Sequence, residues 1–235
     1  MRPSRPARPL LLVSLSFCLI ACERTPVAPA PAPTTPQRAA PPTRPPSPPL
    51  VAAAREQIGV TVRYDPEYTA IAYPNGDVPV DRGVCTDVVV RALRRQGLDL
   101  QRAVHEDMRR NFAAYPRMWG ARAPDRNIDH RRVPNLMRWF ARQGWELPSS
   151  GNAADYQPQD IVAWRLQGSG LLHIGIVSDL TSREGVPLIL HNIGWGTRED
   201  DILFGHAIIG HYRPPVAGLD VVANMSASPA QTTAH

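Results

Sequence analysis

Apolar and polar positions change their rhythm several times along the chain. Leu10 to Ile20 is a continuous apolar run, whereas Pro26 to Pro49 alternates Pro, Ala and Thr with no repeating apolar face. Helical spacing begins at Leu50. Leu50 to Ile58 is Ala-rich and ends at Gly59; Val84, Val88, Val89, Ala92 and Leu93 form a stripe that ends before Gly97. Val104, Met108 and Phe112 recur every four residues within Leu100 to Tyr115, and Leu136, Met137 and Phe140 share one side of Val133 to Gln143, which closes at Gly144. After Pro148 the period shortens. Asp160 to Leu166, Leu171 to Ser178, Pro187 to Asn192 and Ala207 to Arg213 are short aliphatic or β-branched runs between Gly-rich turns, a pattern that predicts consecutive antiparallel strands. Helices first and strands after predict an α+β domain, with N-terminal helices packed on a small antiparallel sheet.

The ends of the chain have a different character. Arg2, Arg5 and Arg8 precede the run Leu10 to Ile20, which is too short for a confident membrane span and predicts a secretory signal over residues 1–21. Leu19-Ile20-Ala21-Cys22 resembles a bacterial lipobox, which implies cleavage before Cys22 and lipidation of that thiol. Glu23 rather than Asp after the cysteine points to an exported lipoprotein facing the periplasm from the outer membrane. Residues 22–49 then read as an extended tether, reaching about 70 to 80 Å at ~3.1 Å per residue. Residues 50–215 form one domain, and the Ala-, Ser- and Thr-rich residues 216–235 a disordered tail. The formal charge of +5 includes the three arginines of the leader, so basicity gives no reason to expect nucleic acid as a partner. The membrane, through Cys22, is the expected anchor.

Cysteine usage narrows the chemistry. Of three cysteines, Cys18 leaves with the leader and Cys22 is blocked by lipid, so Cys85 stands in the mature domain without an intramolecular disulfide partner. An isolated thiol in an oxidising compartment is a liability unless it is used. Gly83 precedes it in a turn, and the apolar stripe puts Cys85 at a helix start, where unpaired N–H groups and the helix dipole are expected to favour thiolate. Asp87, two residues on, opposes that ionisation. A catalytic cysteine needs a base and a group that orients the base. His173 lies in a predicted strand whose alternation puts His173, Gly175 and Val177 on one face and Leu172, Ile174 and Ile176 on the other. The following strand carries His191 and Asn192, only one of which can face His173. Zinc is the competing use of these side chains, but paired-Cys spacing and the HExxH pattern are both missing, so no metal or other cofactor is expected.

GVCTDVV, DYQPQDIVAW, HIGIVSD and LILHN together resemble the NlpC-type cell-wall cysteine peptidases of the papain-like superfamily. More closely, YPNGDVPVDRGVCTDVVVRAL, NIDHRRVPNL and HNIG resemble the bacterial domain-of-unknown-function family 1287, over essentially Val51 to Arg213. The NlpC-type resemblance implies a papain-like fold with Cys85 as nucleophile, His173 as general base and acid, and His191 as the orienting residue. It also implies that Tyr73 positions the substrate carbonyl or oxyanion, with Asn192 a second candidate for such a role. Peptidoglycan stem peptide is the implied substrate, and Arg131 and Arg132 are the residues to contact its carboxylates. Two departures stand out: Thr-Asp follows the cysteine in place of Ser-Gly, and Gln159 replaces the Gly of the GDLVFF-like turn. The alternative is a non-catalytic module that binds peptidoglycan or a protein in a degenerate papain-like groove.

Overall fold

The computed structural model describes residues 45–215, so the leader, Cys22, most of the tether and the tail lie outside the described residues. Helices α1 (Pro49–Arg55), α2 (Cys85–Arg94), α3 (Leu100–Asn111) and α4 (Val133–Arg142) precede the main strands. The strands are β3 (Glu146–Leu147), β4 (Ile161–Arg165), β5 (Leu172–Thr181), β6 (Pro187–Asn192), β7 (Thr197–Asp200) and β8 (Ala207–Tyr212). They form one antiparallel sheet in the order β3-β8-β4-β5-β6-β7. Two short strands, β1 (Arg63–Tyr64) and β2 (Arg82–Gly83), pair in parallel immediately before α2. The domain is therefore α+β, with helices covering one face of the sheet. None of the described helices is long and apolar enough to cross a membrane.

Alternation along the central strands divides the interior in two. Ile161, Ala163, Ile174, Ile176 and Leu190 point towards α2 and α4, where Val88, Val89, Leu93, Leu136 and Phe140 meet them. Val162, Trp164, Val177 and Ile189 point the other way and bury against Tyr156 and Leu203. Opposed residues in an antiparallel pair share a face, and Trp164 lies opposite His173. His173 thus belongs to the face turned away from α2. Near the helix side's edge, Phe140 stacks on Trp145 with ring centroids 5.3 Å apart, and Tyr212 covers Phe140.

Local chemistry explains the boundaries. Asp99 caps α3 by accepting from the Gln101 N–H, and Gly97 and Gly144 take the left-handed conformations that end α2 and α4 (φ 88° and 75°). The α3 pattern stops short of Tyr115 because Asn111 turns its amide back onto Asp107 at 2.8 Å and the chain tightens into a 3-10 turn over Phe112–Ala114. Gln159 occupies a left-handed backbone position (φ 81°) that suits Gly, and its side-chain oxygen accepts the Leu50 N–H at 3.1 Å, near the start of α1. Arg55 at the other end of α1 donates to Ser178, Asp179 and Glu199, which ties the helix to β5 and β7. Strands β3 and β7 escape the periodicity argument: one is two residues long, and the other (Thr-Arg-Glu-Asp) is a polar edge strand with no apolar alternation to read.

Candidate active site

The start of α2 is built by Asp87. Its carboxylate folds back to accept the Val84 N–H at 2.7 Å, and a Cβ at Gly83 would meet that carboxylate oxygen at 2.8 Å, so the turn requires Gly. Arg131 holds Asp87 from the other side at 3.0 Å and also donates to the carbonyls of Asp65 and Glu67. Both side chains of this pair are almost fully buried, at 2% and 3% exposure. Arg131 is thereby committed to locking the 65–67 segment onto α2, and its guanidinium is not the free carboxylate-binding group that the sequence suggests. Thr86 completes the lock by donating to the Arg131 carbonyl at 3.0 Å.

Cys85 is the first residue of α2 and is 4% exposed. It packs with Ile174 of β5 on the α2 side of the sheet, and the Ile174 backbone N–H is close enough to favour the thiolate. The expectation of a thiolate at the helix start does not hold. Burial pushes the thiol up to about 12, Asp87 adds to that push, and the N–H groups of Ile174, Thr86 and Cys85 itself only moderate it. The helix dipole is a small effect beside the removal of an anion from water. At pH 8, Cys85 is therefore expected to react with iodoacetamide about a thousandfold more slowly than N-acetylcysteine, with a rate rising about tenfold per pH unit towards pH 12. Equal rates at neutral pH, followed by mass spectrometry, would show instead that an imidazole has reached the sulfur and taken its proton.

A chain of three side chains runs along the far face of β5, β6 and β7. His173 Nε2 lies 3.0 Å from His191 Nδ1, and His191 Nε2 lies 3.3 Å from Asp200 Oδ2. Burial lowers both histidines, His173 to about 3, where the neighbouring His191 and His206 add to the effect. Two neutral rings beside an acceptor have one consistent tautomer set: His191 donates from Nε2 to the carboxylate and accepts at Nδ1 from His173 Nε2–H. His173 Nδ1 is then left as a bare lone pair. Gly175 lets β6 approach closely, since a Cβ there would meet Ile189 Cγ2 at 2.6 Å and the Leu190 carbonyl oxygen at 2.9 Å, with the His191 Cβ next at 3.1 Å. Asn192 points to the opposite face and donates to the Gly83 carbonyl at 3.0 Å, so His191 is the residue that contacts His173 while Asn192 braces the turn before Cys85. Cys85 packs on the α2 side of β5 with Ile174, whereas His173 projects from the opposite face, so the structure does not bring the predicted nucleophile and base together: no hydrogen bond joins them.

A cavity of about 650 Å³ opens onto Cys85. Tyr64 and Tyr68 line it together with Trp119, Arg132 and Arg165. Tyr73 does not; its hydroxyl is directed to Glu106 at 3.5 Å and its ring packs on His105. The tyrosine that shares the cavity wall with Cys85 is Tyr64, whose phenol is pushed up to about 12 by burial and then by the charges of Cys85 and Asp87. Tyr64, Arg165 and Asp200 are absent from the sequence reading. Asp200 is brought in by strand register: the turn Ile193–Gly196 returns the chain beside β6 and aligns Ile189 with Asp200 on the face that carries His191. Among the described residues, no group of three or more His, Cys, Asp or Glu side chains is arranged to hold a metal ion.

Residues 51–214 match the family described as "Domain of unknown function (DUF1287)". The chain is also 59% identical over 160 residues to "Uncharacterized protein YijF" of Escherichia coli (strain K12), covering 68% of this chain and 78% of that protein. No solved structure matches. The segments around Cys85, His173, His191 and Asp200 all fall inside the matched span, and on its extent the chain belongs to the DUF1287 family.

Proposed function

We propose that the domain is a papain-like, NlpC-type cysteine hydrolase that cleaves amide bonds, with peptidoglycan stem peptide as its substrate. The observation that carries this reading is the Asp200–His191–His173 chain, which fixes a neutral imidazole with one free lone pair on the far face of β5, next in sequence to Ile174, which packs with Cys85 on the α2 side. An orienting group behind an imidazole base is one half of the arrangement thiol acyl transfer uses; the other half, a thiol at a helix start, stands across the strand from it. The left-handed backbone of Gln159, at the position where the resembling enzymes carry Gly, supports the same topology.

In this reading Cys85 gives its proton to His173 Nδ1 as the sulfur attacks the carbonyl carbon. N–H groups at the start of α2, assisted by the Tyr64 hydroxyl, stabilise the oxyanion. The imidazolium then protonates the leaving amine, and water, deprotonated by the same ring, splits the thioester to carboxylic acid and thiol. The raised thiol and lowered imidazole describe resting neutral groups on opposite faces of β5, so the proton transfer from Cys85 requires the start of β5 to rearrange and bring His173 to the Cys85 side. The leader and Cys22 make the protein an exported lipoprotein of the outer membrane, held by its proline-rich tether within reach of the cell wall.

One observation favours a second reading, a non-catalytic module that binds peptidoglycan or a protein: Cys85 and His173 lie on opposite faces of β5, and neither His173 nor His191 lines the cavity that opens onto Cys85. Incubating the full chain and its Cys85→Ala variant with sacculi and defined muropeptides separates the two. Cys85-dependent products identified by mass are the expected result. Retention on sacculi by both proteins, with no product from either, would overturn the hydrolase in favour of the binding module.

A further inference from the structure

The cavity that opens onto Cys85 is lined by three arginines and by no aspartate or glutamate. Arg131 is ion-paired with Asp87, whereas the other two are in no ion pair among the described residues, although Asp129 lies close enough to Arg132 for that charge to act on its carboxyl. Arg132, just before α4, lies over the Trp119 ring with its guanidinium carbon 4.5 Å from the centroid and forms no ion pair among the described residues. Arg165, the last residue of β4, has one side-chain hydrogen bond, to the Gly170 carbonyl at 3.3 Å, and likewise no ion pair among the described residues. Elsewhere Arg55, Arg91, Arg142 and Arg213 each meet a carboxylate. The remaining wall includes Met118, Leu171 and Leu172, which bring no acceptor side chain to the two guanidinium groups. Stacking on an aromatic face leaves the in-plane N–H edge of a guanidinium available, and that edge matches a carboxylate in a two-pronged contact.

We infer that this cavity selects peptides carrying a free carboxylate beside the scissile amide, with Arg132 and Arg165 as its specificity residues. The inference rests on the reading of the cavity as the substrate site of Cys85. Two guanidinium groups on separate elements suit a substrate with acidic groups on both sides of the bond, or one carboxylate clamped between them. An amide in place of the carboxylate keeps the shape and removes the charge, so the cavity discriminates by charge and not by size. Arg131 cannot substitute for either residue because its charge is paired with Asp87 and both Nη2 donors and the Nε donor are already taken.

The test measures binding on the full chain carrying Cys85→Ala, by calorimetry, with two probes: a stem tetrapeptide whose carboxylates are free, and the same peptide with those carboxylates amidated. The free acid is expected to bind at least about tenfold more tightly, an advantage that shrinks in high salt. Arg132→Gln and Arg165→Gln should each weaken the free acid about tenfold and leave the amide unchanged, while Arg165→Lys retains part of the preference as a point charge. Equal affinity for the two peptides, no binding of either, or equal loss of both in the Gln variants when their melting temperatures match the parent, would overturn the inference. Arg-dependent preference for the acid in a protein whose unsubstituted form yields no product would leave this selectivity standing and remove the hydrolase reading.

Discussion

Replacing Asp87 by alanine is expected to destabilise the domain by about 3–5 kcal/mol. The Asp87 side chain is 3% exposed and the Arg131 side chain 2%, so loss of the carboxylate leaves a guanidinium with no counter-charge and little access to water. The Val84 N–H loses its acceptor in the same step, and the turn that Gly83 makes loses the group it was shaped around. Removing both charges should cost much less: Asp87→Leu combined with Arg131→Met restores a large part of the loss, because a buried ion pair barely offsets its own desolvation. Urea melts of the two single variants and the double variant measure this coupling. Additive losses in the double variant would show that the pair is not the joint between the 65–67 segment and α2.

The parts of this molecule legible in the sequence are those governed by local period. The stripe Val84, Val88, Val89, Ala92 and Leu93 marked α2, and alternation in Leu171 to Ser178 put His173 and Ile174 on opposite faces, as the registers with β4 record. Strand β6 matches its sequence boundaries, Pro187 to Asn192. What local pattern cannot carry is the balance between burial and charge at a single atom. The helix start at Cys85 is real, yet the thiol rises because the same stripe that makes the helix recognisable also takes the sulfur out of water. Partner choice is equally non-local. Arg131 and Arg132 are adjacent in sequence and look equivalent, but one is claimed by a carboxylate 44 positions upstream and the other lies on an indole. Tyr64 and Tyr73 differ in the same way: parallel pairing of β1 with β2 carries Tyr64 beside Gly83 and so to the cavity, while Tyr73 is drawn to α3.

Asp200→Asn is expected to lower turnover by about 10³ to 10⁴-fold with little change in stability, because it reverses the proton order of the whole chain behind His173. Asp200 accepts on both oxygens, from His191 through Oδ2 and from Arg198 through Oδ1 at 3.2 Å. An asparagine has one oxygen to offer, and the Arg198 guanidinium, which can only donate, draws it to that side. The amide NH₂ then faces His191 Nε2, which must become an acceptor; His191 Nδ1 becomes N–H, His173 Nε2 becomes an acceptor, and the proton on His173 moves to Nδ1. The lone pair required to take the Cys85 proton disappears, although every heavy atom stays in place. Asp200 is 28% exposed, so the substitution leaves no buried charge stranded. Adding Arg198→Met releases the amide to turn its oxygen towards His191, and turnover should recover by about tenfold or more over the single variant. Muropeptide turnover at fixed pH, with melting temperatures alongside, is the measurement. Full activity in Asp200→Asn would show that the Asp200–His191 chain does not set the proton on His173, and the base would have to be sought elsewhere than on β5.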